Sequence, residues 1–553
     1  MSDFAFRWPR SSQENSGSDG GRVHCKSLLL GHAIIWTVIA GLAFLTWQEI
    51  SYWYVFKREA RHTVALRQRA EFLVSNVWAQ KGDRLAKRQD IDGAIEQYRR
   101  ALQIYPAHAG AQNNLGFVLA SRGRLNEAME HYQKALEIDP RFTLALTNLG
   151  DALVALGQPD EAVRNYREAL RIDPAYAGAH NSLGAFLARQ GKLDEAIAHY
   201  REALESKPDF ALAASNLGRA LVSQGKAEEA TVYLRRALAA EPGLARAHYG
   251  LGKAFIQKGE VREGMEELKK AIESDPGFAP AYYDLGDAYM SLGKFNEAIG
   301  QYRHAVKINP RDAAAYHSMG NAFLKAGNFA MAADQFRLAV KYDAEYVDAY
   351  ANLGSALEAQ ERVDEAIEEY RRSVEINPRY APGHYNWGNA LLRRQEFAGA
   401  IEHYRKAIEI DPKYVAARTN LATALDARGE RDEAITLYRE ALKVDPRYAP
   451  ALFNLGQLLG ERGEVEAATA LFRRVIQVSP KDAEAHYQLG RFLAAAGRLE
   501  EAAAQFRDAL KIDPQFAAAK QSIDRLQAVQ RGNDDKSQTK PKERAKIDDG
   551  GAR

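Results

Sequence analysis

Apolar and small residues recur along most of this chain at a fixed interval of 34. With the unit numbered so that its proline is position 32, positions 4, 7, 8 and 11 form one stripe of a first helix. Positions 20, 24 and 27 form the facing stripe of a second. Position 7 is mostly leucine, position 8 is glycine in twelve of thirteen copies (Ala422 is the exception), and position 20 is alanine except at Gly264. Position 24 is usually aromatic, as at Tyr98, Tyr132, Tyr166, Tyr200, Phe336 and Phe472. Position 27 is alanine except at Ser373 and Val475. Small residues at 8 and 20 let the two helices approach, and the large residue at 24 fills the space beside them. A glycine at position 15, such as Gly123 or Gly157, separates the helices. The proline ends the second one, because the residue before proline is pushed out of the helical region. The prolines run from Pro106 to Pro514 in steps of 34, with Ala344 in the place of the one missing. Repeat 1 is 75–108 and repeat 13 is 483–516, with no insertion or deletion between them.

A period of 34 with this internal pattern resembles the tetratricopeptide-repeat (TPR) family. Phrases such as NLGDALVALGQPDEAVRNYREALRIDP at 148–174 are similar in style to the repeat region of the O-linked N-acetylglucosamine transferases. That family carries its glycosyltransferase domain after the repeats, whereas 37 residues follow the last repeat here. The resemblance therefore implies a binding surface without catalysis, and an all-α, right-handed α-solenoid superhelix of thirteen TPR units.

The flanks differ from the array. Residues 1–26 are polar and read as a disordered N-terminal tail. Residues 27–48, SLLLGHAIIWTVIAGLAFLTWQ, hold no Lys, Arg, Asp or Glu and are long enough for one transmembrane helix. The expectation is a retained anchor, since the apolar run exceeds that of a signal peptide. Residues 49–74 read as an aromatic and basic juxtamembrane linker, 517–530 as a polar capping helix and 531–553 as a disordered C-terminal tail. The expected localisation is thus a single-pass membrane protein. Basic residues are nearly balanced on the two sides of 27–48, so the positive-inside rule leaves the side of the array open.

Composition removes several alternatives. The 553 residues carry a net charge of +2, which argues against general nucleic-acid affinity. A solenoid has no single central core, so the length does not imply several globular domains. Cys25 is the only cysteine, so no intrachain disulfide forms.

No catalytic constellation stands out, and the expectation is no enzyme, no cofactor, no metal and no small-molecule substrate. Gly184 with Gly191-Lys192 superficially follows a phosphate-binding loop, but six residues separate the glycines where four are needed, and no Ser or Thr follows the lysine. Histidines recur at position 4 (His180, His248, His384, His486) and position 23 (His131, His199, His403). None are paired at i, i+3 or i, i+4, so packing is the expected role. Paired acids such as Asp194-Glu195 open second helices, where the helix dipole favours them.

Position 6 carries the candidate binding feature. It reads Asn114, Asn148, Asn216, Asn352, Asn386, Asn420 and Asn454, interrupted by Ser182, Gly250, Asp284 and Ser318. By the family resemblance, first helices line the concave face and these amides point into it. Asparagine is a poor helix former, and an amide both donates and accepts, so a row of them suits the backbone of an extended peptide. Arg219, Lys253, Asn321 and Asn389 at position 9, with Tyr249 and Tyr283 at position 5, flank the groove. The bland alternative is that the amides hydrogen-bond along the helix surface and were copied forward by duplication. Lysine is absent from position 5, and position 6 has no basic residue, which argues against the family's carboxylate clamp for chaperone tails. The expected function is a membrane-anchored scaffold that binds extended protein segments. The alternative is an accessory subunit of a membrane complex, docking through its convex face or ends.

Overall fold

A computed structural model describes residues 62–538 of the chain. The expectations for 1–26, 27–48, the start of 49–74 and the end of 531–553 lie outside the described residues. Within them the protein is all-α, with 27 helices and no strand. It divides into two compact units between Asp275 and Pro276. In each unit the repeats are helical hairpins: Ala109–Ser121 with Leu125–Ile138 in repeat 2, and Ala381–Arg393 with Phe397–Ile410 in repeat 10.

The apolar stripes become the core of each hairpin. The position-24 ring lies flat against the position-8 glycine. A Cβ on Gly388 would stand 2.7 Å from Tyr404, and one on Gly116 2.7 Å from Tyr132. The alanines at 20 and 27, such as Ala400 and Ala407, are fully buried, as is Tyr404. Glycine at position 8 lets the ring come this close, and the one repeat with a side chain there, Ala422 against Tyr438, keeps both residues buried.

Punctuation follows from backbone chemistry. Position 15 is left-handed wherever it is glycine, for example φ +74° at Gly123 and +79° at Gly225. Three repeats place a side chain there instead: Gln89, Glu361 and Gln395 hold φ of 62°, 62° and 60°. The Ile-Asp-Pro phrase is a turn. Asp173 N–H closes the helix on Ala169 at 2.9 Å, and its Oδ1 accepts from Ala175 N at 3.1 Å. The Tyr176 amide then folds back to the Asp173 carbonyl at 3.1 Å, around a proline that has no N–H to satisfy.

Repeats 5 and 6 solve the same packing problem differently. Leu234 and Leu268 replace the aromatic ring. In repeat 6, glycine stands at both contact positions, and a Cβ on Gly264 would come 2.8 Å from the Gly252 carbonyl oxygen. A smaller filler is matched by paired glycines.

The ends of the array are longer than the repeat pattern implies. The first helix is His62–Lys87, so residues 62–74 of the expected linker continue into repeat 1. Phe72 packs 5.0 Å from the His108 ring, and buried Ser75 Oγ donates to the Ala101 carbonyl at 2.8 Å. The closing helix is Ala517–Gln538, with Ile523 and Leu526 packed on the core of the second unit. It runs past the expected end at 530.

The expected localisation is corrected. Among the described residues no helix is long and apolar enough to cross a membrane. The long first helix carries Arg67, Arg69, Glu71, Lys81, Asp83, Arg84 and Lys87, charges that a bilayer core would not accept. On that finding the single-pass localisation is withdrawn; the segment 27–48 itself lies outside the described residues.

Candidate binding surface

The position-6 asparagines sit on first helices and are half-buried. Six of the seven donate their amide to the preceding repeat. Asn114 Nδ2 reaches Asp83 Oδ1 at 3.0 Å, Asn148 reaches Asn113 Oδ1 at 2.9 Å, and Asn216 reaches Asn181 Oδ1 at 3.0 Å. In the second unit Asn352 donates to Asn321 at 3.0 Å, Asn420 to Asn389 at 2.8 Å, and Asn454 to Thr423 at 3.3 Å. Asn386 makes no side-chain hydrogen bond among the described residues. The row is thus a stitch between neighbouring first helices.

The stitch continues into the core. Asn389 Oδ1 also accepts from the Tyr404 hydroxyl at 2.8 Å, Asp83 from Tyr98 at 2.7 Å, and Thr423 pairs with Tyr438 at 2.9 Å. The position-24 ring therefore fills the hairpin and, through its hydroxyl, holds the position-9 side chain that receives the next repeat. Burial pushes these phenols far up, so they stay protonated donors. Asp151 receives both Tyr166 at 2.7 Å and Ser182 at 3.3 Å, so serine stitches where asparagine is absent.

The flanking residues divide. Asn321 and Asn389 are acceptors within the stitch. Tyr283 is half-buried and bonds Ser318 at 2.9 Å. The Lys253 ammonium stands 5.8 Å over the Tyr249 ring. Arg219 is half-buried, and Arg246, Tyr249 and Tyr200 act on its charge. Burial and Arg246 lower its pKa. Its stem crosses the backbone of repeat 6, so that a Cβ on Gly250 would lie 2.9 Å from Arg219 Cγ and 2.8 Å from Leu234 Cδ2.

The structure also joins side chains that spacing along one helix does not predict. Positions 4 and 23 meet across each hairpin, 19 residues apart. His180 Nδ1 lies 3.0 Å from His199 Nδ1, and His384 Nδ1 lies 3.1 Å from His403 Nδ1. His180 Nε2 and His384 Nε2 donate to the carbonyls of Pro174 and Pro378. With Nε2 carrying the proton, His384 Nδ1 is the acceptor and His403 Nδ1 the donor. Trp387 stacks on His403 at 3.8 Å between centroids. Burial and the His384 charge pull His403 down to about 4. Elsewhere the same two positions hold His248 with Glu267, Gln112 with His131 and His486 with Gln505. The recurrence of polar pairs at 4 and 23 was the signal available in the sequence. Among the described residues no three metal-ligating side chains come together.

The sequence matches TPR family profiles over nearly the whole array. The profile for the cilia and flagella-associated protein 70 C-terminal domain covers 56–281. Tetratricopeptide-repeat profiles cover 267–300, 286–327, 317–381, 391–459 and 453–515. The chain belongs to the tetratricopeptide-repeat family, whose architecture mediates protein–protein interaction, and no enzyme family is among the matches. No curated protein matches it. Among solved structures, it is similar to the APC/C hetero-tetramer Cut9-Hcn1 at 14% identity, over 84% of this chain and 99% of that one, with a TM-score of 0.39. It is also similar to the MamA protein at 29% identity, over 31% of this chain and 93% of that one, with a TM-score of 0.29.

Proposed function

We propose that this protein is a non-enzymatic scaffold that binds extended segments of partner proteins along the face formed by its first helices. One observation carries the reading. In Asn148, Asn216, Asn352, Asn420 and Asn454 the amide nitrogen is used by the stitch, while no described side chain donates to Oδ1. The rungs then offer a row of acceptors, held in place by the bonds that consume their donors. An extended peptide presents backbone N–H groups that such acceptors satisfy without reading sequence. Each bond contributes about 1 kcal/mol net, so affinity comes from engaging many rungs.

Asn386 separates gripping from stitching, since it stitches nothing. In-cell crosslinking with mass spectrometry, comparing wild type with Asn386→Ala, tests this directly. Loss of partner crosslinks to first helices of repeats 9–11, at unchanged stability, is the expected result. Full retention of those crosslinks, in this variant and in Asn352→Ala, sinks the reading.

A further inference from the structure

The ladder fails at Gly250 for a reason that itself looks like a site. Three positions change together in repeats 5 and 6. Position 24 is Leu234, which has no hydroxyl to hold a position-9 partner; position 9 is Arg219; and position 6 of the next repeat is Gly250. The glycine is needed because the Arg219 stem occupies the space of its Cβ. The stitch has been replaced by an arginine whose stem lies against the next first helix.

No ion pair or hydrogen bond engages the Arg219 or Arg246 side chain among the described residues, and Arg246 stands one turn before Gly250 on the helix Ala245–Gln257. The groups that influence Arg219 are another cation, Arg246, and two phenols, Tyr249 and Tyr200. The Tyr200 hydroxyl is itself unusual. Its position-9 partner would be Ala185, so the hydroxyl holds no position-9 side chain and Asn216 stitches to Asn181 instead; the phenol lies under the positive influence of Arg219 and Arg189. Asp151, on which Arg189 acts, is already engaged by Tyr166 and Ser182. Holding two arginines together beside a half-buried face is unfavourable unless something negative completes them.

We propose that Arg219 and Arg246, which meet at Gly250, form a binding site for an acidic side chain of an extended partner segment. The proposal rests on the function argued above and names the partner's chemistry within it. Asn148, on an earlier first helix of the same unit, and Asn216, one turn before Arg219 on its own helix, hold the segment's backbone. Arg219 then reads a Glu or Asp, for which its planar fork is suited. Two arginines side by side suit one carboxylate. A nucleic acid needs a continued basic stripe, and a chain of net charge +2 does not supply it.

The test uses the full chain and fluorescence anisotropy with a labelled, glutamate-rich Gly/Ser peptide and its glutamine counterpart. The glutamate peptide is expected to bind ~10-fold more tightly or better. Arg219→Gln with Arg246→Gln should abolish the difference, and Arg219→Lys should keep part of it. Equal binding of the two peptides to wild type overturns the proposal. So does a preference that survives the double variant with its circular dichroism unchanged. Tighter, Arg219-dependent binding of a single-stranded oligonucleotide would also overturn it, by making the partner a nucleic acid. If both peptides bind equally, and do so through Asn148 and Asn216, only the acidic site fails. If Arg219-dependent preference persists with Asn148→Ala and Asn216→Ala, the site stands and the ladder reading fails.

Discussion

Repeats 8–11 and repeats 5–6 are built on the same 34-residue plan and hold together by different means. In repeats 8–11 polar side chains join neighbouring repeats in two groups: Tyr404 to Asn389 to Asn420, and Asn321 to Asn352. In repeats 5–6 leucines fill the hairpins, glycines bring the helices together, and the position-9 side chain is a cation with no carboxylate. The first arrangement spends its polar groups on neighbouring repeats, and the second leaves one unspent. Where leucine fills the hairpin, no hydroxyl holds the position-9 side chain, and Arg219 lies against Gly250 in place of a stitch.

The largest test of that contrast is the ring itself. Tyr404→Ala empties a fully buried site and removes a hydroxyl of the network, for an expected loss of about 3–5 kcal/mol. Hydrogen exchange should show protection lost in repeats 10 and 11 together. Leu234→Ala in repeat 5 should cost about 2–3 kcal/mol and stay local. If the effect of Tyr404→Ala spreads no further than that of Leu234→Ala, the network is not what joins the repeats.

Next come the position-9 residues. Asn389→Ala strips the acceptor from both Asn420 and Tyr404 and should lower stability by about 1–3 kcal/mol in urea denaturation. Arg219→Gln should leave the midpoint unchanged or raise it, because it removes a desolvated cation that nothing balances. A large loss at Arg219 would mean that its charge is satisfied in the free protein.

The paired histidines give a pH-dependent comparison. His403 faces His384, Glu402 and Lys406, and its folded pKa of about 4 lies below the ordinary histidine value. The unfolded chain therefore binds the extra proton first. Stability is unaffected above about pH 7, falls as pH drops through 6.5, and stops falling below about 4. At pH 5 the expected loss is about 1–2 kcal/mol. His403→Gln should remove most of it, as a comparison of thermal unfolding at pH 7 and pH 5 would show. No change in the pH dependence would mean that His403 is protonated in the fold.

The smallest effect is at the turn. Gln395→Gly relieves a left-handed side chain in repeat 10 and should add up to about 1 kcal/mol. Gly225→Ala imposes that same conformation in repeat 5 and should remove about 1 kcal/mol. Calorimetry that showed the same sign for both would contradict the backbone assignment.

Some of this was readable before any coordinates. The hairpin, its boundaries at Gly123 or Pro174, and the lock between Gly388 and Tyr404 are all local, and each recurs thirteen times or nearly so. Repetition averages away the ambiguity of any single copy. The ends of the array lack that repetition. Residues 62–74 carry no position-32 proline or position-8 glycine, so only packing, as of Phe72 on His108, shows that they are helical. The His384–His403 contact was hidden for another reason: its spacing of 19 crosses a turn, and helix-face rules do not reach that far.

What the sequence by itself determined is the period, the fold class, the register of every hairpin and the place where the polar ladder stands. These depend on steric and backbone preferences within a few residues of one another. What only the tertiary structure decided is where the polar atoms point. Whether Asn420 faces a ligand or its neighbour depends on Asn389 being held by Tyr404, and whether Arg219 can lie across the next helix depends on Gly250 having no Cβ. A hydrogen bond or a charge is satisfied by what stands within about 3 Å of it. In a solenoid that neighbour belongs to the next repeat, some 31 to 35 residues away along the chain.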